Sequence, residues 1–546
     1  MPHRPPPLPQ EVDGVVVGGG HNGLIAAAYL ARAGLDVLVL EAGKRVGGGV
    51  ATEECTLPLF RHNLHAFFVR WTPDYRIWHD LDLDRFGVRA VYPEVQNGLP
   101  YEGGVRALVT YRDLPRSLAA IAELSAADAR TYERLHAEYA DITARIIAPL
   151  RFAPPLPADE ERDRLRRSRL GRRYLKLADA SALDLILEAF ESEPLRALIA
   201  FNVAVRGYLP VMDVPGTGHC AVLALPNSHE GRMIAGGSAD MTRALTAALY
   251  AAGGRVATRS PVASIDIRGG RVRGVTTEDG RHVRVRRFVA SSVPAPLTLL
   301  DLVGSARLDG GLVAHLSGYR WLEEALFGVH LAMARRPRFT AETHRPELPL
   351  ALNLALGYES TADLTADMEA IRARRMPDRP SLHASIPTAN DPGQAPAGRH
   401  TTFGWQFVPS DLDGEAHLWP ARASEAHAKA MLETYARYAP DLPDCVLAVE
   451  SHSPADTAAL VPSMPRGDRH HGSYHPDNWG ANRPHPDLAG YRTPIDGLYL
   501  CGSSQHPGGS FTGTPGFNAA GVIATDLGAK VWWERPDVRQ ALEDLE

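Results

Sequence analysis

The sequence predicts an α/β protein: a Rossmann-type dinucleotide-binding domain in three sequence pieces, plus an inserted α+β domain with a helical subregion. Three observations predict this class. "VVVGGGHNGLIAAAYLARAGLDVLVLE" (Val15–Glu41) runs strand, glycine turn, helix, strand. "GLYLCGSSQHPGGSFTGTPGFNAAGVIATDLG" (Gly497–Gly528) places a second strand, glycine-rich loop and helix near the far end of the chain. Two long stretches of different pattern lie between, and 546 residues exceed one domain at roughly 100–200 residues each.

The elements follow in order. Residues 1–10, "MPHRPPPLPQ", are proline-rich, lack the apolar stretch of a signal peptide, and are expected to be a disordered tail. "VDGVVV" is the apolar run of a buried parallel strand. Gly18, Gly20 and Gly23 then stand in G-x-G-x-x-G order. The first permits a tight turn, the second lets the backbone approach a pyrophosphate, and the third lets the helix pack on the strand. From about Asn22 the helix N-terminus offers its N–H groups and dipole to the phosphate. Leu24, Ala27, Ala28 and Ala31 give the helix an apolar face, and Gly34 is placed to end it. "DVLVL" is the next strand, and Glu41 closes it where a carboxylate accepts both ribose hydroxyls.

A further nucleotide-domain piece lies between Ser228 and Gly304. "GGSADMTRALTAALYAAGGRVAT" reads as a helix after Gly236-Gly237. In "PVASIDIRGGRVRGVTTEDGRHVRVRRFVASS" hairpin turns at Gly269-Gly270 and Asp279-Gly280 break strands in which Val262, Ile265, Ile267, Val272 and Val275 alternate, with one slip. The expected division is 11–100, 228–304 and 486–546 for the dinucleotide domain, with 101–227 and 305–485 forming the inserted substrate domain. The first insertion is helical and carries the basic run "RDRLRRSRLGRRYLK", a solvated helix face in the commoner case and a membrane-surface patch in the other. The second contains "FGVHLAMA" and "TTFGWQFVPS", β-like runs suited to a sheet that roofs a pocket.

Composition narrows the partners. With 58 Lys and Arg against 64 Asp and Glu, a formal charge of −6 offers no chain-wide basic surface, so nucleic acid is not an expected partner. Cys55, Cys220, Cys445 and Cys501 are far apart, which suggests no disulfide framework, no metal site and a reducing, cytoplasmic setting. No apolar run reaches the ~20 residues of a membrane span, so any membrane contact is expected to be peripheral.

"EAGKRVGGGVAT", in which Arg45 and Gly47-Gly48-Gly49 follow Glu41 at once, resembles flavoproteins of the amine oxidase and phytoene desaturase superfamily. The stretch from Gly497 to Gly528 resembles the C-terminal flavin motif of phytoene desaturases. The resemblance implies FAD. It implies a helix N-terminus near Gly516, Phe517 and Asn518 facing the flavin ring, backbone near Val262 at the adenine end, and Gly502 and Gly509 in the flavin loop. Amine oxidases commonly have arginines where this chain has Gly43 and Gly49, so it is closer to the phytoene-dehydrogenase-related branch that includes the pyridine nucleotide-disulfide oxidoreductase domain-containing protein 2 group. Ser510-Phe511 departs from that group's pattern. No second glycine fingerprint and no C-x-x-C pair accompany the first, which disfavours a disulfide reductase using NAD.

The chemistry expected is hydride transfer from a C–H bond of a largely apolar, small to medium metabolite to flavin N5, in a dehydrogenase or desaturase reoxidised by oxygen or a quinone. Candidate catalytic residues are His506, His65 and His62, since histidine can take a proton near neutral pH, although each could instead simply pack or hydrogen-bond a loop. Asn63, His470 and His471 are further candidates for groups beside the ring. An amine or amino-acid oxidase remains open, with Arg483, Trp405 and Trp479 as pocket groups. So do a redox-neutral FAD-dependent isomerase and a non-catalytic protein resembling GDP-dissociation inhibitors.

Overall fold

A computed structural model describes residues 7–70, 75–412 and 421–545. Of the tail expected over 1–10, residues 1–6 lie outside the described set, while Leu8 packs half-buried against the first core.

Strand β1 (Glu11–Val17) is central in the first sheet. It pairs in parallel with β2 (Val37–Leu40) on one side and with the strand His282–Ser291 on the other. Gly14 is required here because a Cβ would sit 2.0 Å from the Phe288 ring, which packs across the strand. Arg255–Ala257 extends the sheet beyond β2, and β3 (Leu498–Leu500) pairs in parallel with the C-terminal half of His282–Ser291. The hairpins read from Gly269-Gly270 and Asp279-Gly280 form as expected. They belong to the same sheet as β1, because His282–Ser291 continues from the antiparallel meander straight into the parallel core. Ile265, Val272 and Val275 join Val15, Leu38 and Leu40 in the core on one face.

Helix α1 (His21–Arg32) covers the opposite face with the helix Ala239–Ala251 and α2 (Thr514–Asp526). Its end is a Schellman motif: Leu35 N–H reaches Leu30 O at 3.2 Å and Gly34 N–H reaches Ala31 O at 2.9 Å, with Gly34 left-handed at φ 91°. Helix α2 begins at Thr514, three residues before the start expected at Phe517. Gly513, at φ 71°, ends the loop and Pro515 fits the first helical turn, where its missing N–H costs nothing.

The second sheet runs in the order Val446–His452, Glu324–Met333, His400–Pro409, Leu382–Ser385, Asn353–Leu356, Val95–Tyr101, Arg106–Tyr111. Val95–Tyr101, which the sequence places at the end of the piece 11–100, is hydrogen-bonded into this sheet in parallel with Asn353–Leu356. The two faces of His400–Pro409 alternate with period two. Thr402 meets Tyr435 of the helix Ala421–Tyr438, while Trp405 and Phe407 face a cavity. Helices between Leu114 and Asn227 close the other side of that cavity.

Candidate functional site

One cavity of about 1380 Å³ runs from the C-terminal ends of β1 and β2 to the space under the second sheet. At its first end the lining includes Gly18, Gly20, Asn22, Glu41, Arg45, Gly48, Gly49 and Val262, residues widely spaced in sequence that the fold brings together. Gly18 turns the chain at φ 90°. A Cβ on Gly20 would meet no protein atom within 4 Å, so the backbone there faces open groove beside the first-turn amides of α1. The Glu41 carboxylate is aimed by two amides, accepting from Gly19 N–H at 2.7 Å and Gly43 N–H at 2.6 Å. Arg45 is mostly exposed and paired with Glu53. This set suits a dinucleotide: open glycine backbone for the pyrophosphate, a helix N-terminus and an oriented carboxylate for ribose.

Other expected site residues stand behind the wall. A Cβ on Gly23 would lie 2.2 Å from Gly18 O, on Gly502 2.2 Å from Ser292 O, and on Gly516 2.2 Å from Asn22 O. These glycines make close backbone crossings. Phe517, expected near the ring, packs edge-on against Tyr29 and Phe152. The Asn518 amide donates to Arg151 O, Ala153 O and Tyr491 Oη. The early start of α2 places both beyond its first three residues. His62 is also off the cavity, bonded to Thr56 Oγ1 at 2.8 Å and edge-on to His330.

At the middle of the cavity stand His65, His470, His471, His506, Gly509, Ser510 and Phe511. His506 Nε2 donates to Leu150 O at 2.8 Å, which leaves Nδ1 as a buried lone pair with no partner among the described residues. His65 Nε2 is likewise unpartnered. Burial holds His62, His65 and His506 down to about 4, so all three are neutral at pH 7. Gly49 explains the missing arginine: a Cβ there would sit 2.3 Å from Met464 Cε, so Met464 fills the space a longer residue would take. Arg483 is not a pocket group. It is fully buried and donates to Ser473 O, His470 O and Ser503 O at 2.8–3.0 Å, clipping two loops together.

Beyond lies a chamber walled by Phe67, Trp405, Phe407, Leu223, Tyr208 and Trp479. Arg70 and Arg206 also line it, and sequence reasoning singled out neither. "FFVRW" and "AVRGY" carry no signal separating a buried arginine from a solvated one. Half of the basic run's eight cations are ion-paired: Arg162 with Asp179, Arg164 with Glu160 and Glu543, Arg166 with Asp163, Arg173 with Glu138. Among the described residues no helix is long and apolar enough to cross a membrane.

Fold and groove together define an FAD-dependent oxidoreductase of two sheets around one cavity. The chain belongs to the flavin-containing amine oxidoreductase family, whose profile matches residues 23–301. It is 28% identical to a limonene dehydrogenase component of Castellaniella defragrans, over 97% of each chain. It is 30% identical to mouse pyridine nucleotide-disulfide oxidoreductase domain-containing protein 2, over 95% of this chain and 94% of that one. The crystal structure of an oxidoreductase from Methanosarcina mazei superposes with a TM-score of 0.60 at 18% identity, covering 93% of this chain and 99% of that one.

Proposed function

We propose that this protein is a dehydrogenase or desaturase that oxidises a C–H bond of a largely apolar, small to medium metabolite, with oxygen or a quinone taking the electrons afterwards. The observation that carries this reading is the continuity of the cavity: the dinucleotide groove opens past the histidines into a chamber walled by Phe67, Trp405, Phe407 and Leu223. Full-length likeness to a protein named as part of a limonene dehydrogenase supports it. Bound FAD supplies the hydride acceptor; the chain's own groups hold the substrate, exclude water and receive a proton. Gly18, Gly20, the first turn of α1 and Glu41 would hold the cofactor. His506, with Nδ1 a buried lone pair, and His65, with Nε2 buried and unpartnered, are the groups we assign to accept a proton from the carbon beside the one that loses hydride.

Anaerobic stopped-flow mixing of the flavin-loaded protein with polyenes, alicyclic metabolites and amines tests the reading. Bleaching by the apolar classes is expected, and bleaching by amines alone would overturn it. His506→Ala is expected to slow bleaching about a hundred-fold, the low end of general-base effects, with flavin content unchanged. An unchanged rate would return His506 to a packing role.

A further inference from the structure

Arg70 and Arg206 are difficult to reconcile with a chamber for hydrocarbon alone. Arg70 follows the strand Phe68–Val69, lies over the Phe68 ring at 5.0 Å, and donates through Nη2 to Asn97 Oδ1 at 2.9 Å. Asn97 is itself fixed by donating to Thr110 Oγ1 and Ser228 O. This contact is with a neutral amide, and Arg70 Nε and Nη1 are buried without any acceptor among the described residues. Arg206 stands on a π-turn, Ala204–Tyr208, that ends through left-handed Gly207 at φ 90°. Such turns recur where a helix must aim a side chain. Its Nε and Nη2 are also buried and unpartnered.

Neither guanidinium forms an ion pair with a described carboxylate. Seven carboxylates line the cavity, Glu41, Glu53, Glu54, Glu161, Asp179, Glu278 and Asp301, and none is ion-paired with Arg70 or Arg206: Glu41 is held by two amides, Glu54 accepts from Leu59 N–H, Glu53 pairs with Arg45, Asp179 pairs with Arg162, and burial raises Glu161 to about 7. Burial pushes both arginines below their ordinary range, the charge of Arg206 pushes Arg70 further, and the charge of Arg151, which also lines the cavity, pushes Arg206 further. Two unpaired buried cations disfavour the empty chamber and any cationic occupant. An anion relieves both at once, since each guanidinium presents N–H donors in a planar fork that fits a carboxylate.

We propose that Arg70 and Arg206 anchor a carboxylate at one end of the substrate, so that the natural substrate is an amphiphilic acid with an apolar body lying towards the flavin. This rests on the dehydrogenase reading and narrows its substrate class. The anchor sets the register: with the acid fixed at the arginines, only carbons at one distance along the body reach the flavin-facing histidines.

The test is binding, read from the perturbation of the flavin's visible absorption. Flavin-loaded protein is titrated with linear carboxylates from octanoate to myristate and with their methyl esters. The acids are expected to bind about ten-fold or more tightly than their esters, because the ester forfeits the charge-assisted bonds. Arg70→Gln and Arg206→Gln are each expected to weaken the acids about ten-fold or more, leaving ester affinity and flavin content unchanged. Equal binding of acids and esters to the unaltered protein overturns the anchor without needing either variant to fold. Loss of flavin from both variants, read as absorbance missing after gel filtration, overturns it too, by assigning the pair to the cofactor. Bleaching by neutral polyenes without acid preference would remove the anchor and leave the dehydrogenase standing. Acid preference with bleaching only by amines would do the reverse.

Discussion

At the scale of residues, the glycines of the first turn do the different jobs that their order in the fingerprint predicts. Gly20 faces open groove, whereas a Cβ on Gly23 would lie 2.2 Å from Gly18 O. Gly20→Val is therefore expected to give a folded protein that no longer retains FAD, because its side chain enters the space the pyrophosphate needs. Gly23→Ala should instead destabilise the fold by about 1–3 kcal/mol, through overpacking against backbone. Flavin absorbance after gel filtration and thermal melting of the flavin-free protein distinguish the two. Stable flavin in Gly20→Val would remove the groove assignment. Glycine spacing and Glu41 were legible because their tasks are local. Met464 behind Gly49 and the pair Arg70 and Arg206 were not, since what matters about them is what the fold places, or fails to place, opposite them.

At the scale of elements, the cofactor groove depends on how α1 meets α2. They cross where Gly516 sits against the Asn22 carbonyl, and the Asn22 amide donates to Ser503 Oγ at 3.0 Å, tying α1 to the loop after β3. Gly516→Val is expected to part the helices at that crossing, shift Asn22 in the groove wall, lower stability by about 1–3 kcal/mol and lose flavin. Gly34→Ala is the control at the other end of α1. Nothing lies within 4 Å of its Cβ, so only the left-handed backbone is strained, at about 1–2 kcal/mol, and flavin should stay bound. Equal flavin retention in the two variants would show that the crossing does not hold the groove. The helix itself was legible in "FNAAGVIATDLG", but Thr514 to Gly516 read as loop because proline and glycine there mark a first turn and a close crossing. Val95–Tyr101 was misplaced for a related reason: its partner Asn353–Leu356 is some 250 residues away, and no local pattern names it.

At the scale of the whole molecule, the burial of titratable side chains sets a pH dependence whose sign can be worked out. Burial holds His21, His62, His65, His219, His229, His427 and His506 at about 4 and His383 and His471 at about 3, while the unfolded chain returns them to about 6.5. Between those values the unfolded state binds protons that the folded state refuses. Their contribution is complete above about 6.5 and is lost as pH falls towards 4, at up to ~1.4 kcal/mol per pH unit for each histidine. Three buried carboxyls oppose this. Glu161 and Glu324 are raised to about 7 and Asp367 to about 8, so the folded state keeps protons that the unfolded state releases above about 4.5. Their contribution fades as pH rises to 7–8. Between pH 5 and 6 the nine histidines outweigh the three carboxyls, so the net slope favours higher pH. Above pH 7 only the carboxyl contribution still changes, so stability is expected to peak near neutrality and decline gently beyond it. Urea unfolding of the flavin-free protein at pH 5, 6, 7 and 8 checks this, with the midpoint expected to rise steeply to pH 7 and then level or fall. A midpoint flat between pH 5 and 6 would mean that these histidines are solvated in the folded protein, which would also remove His506 and His65 as the dry bases proposed for the cavity.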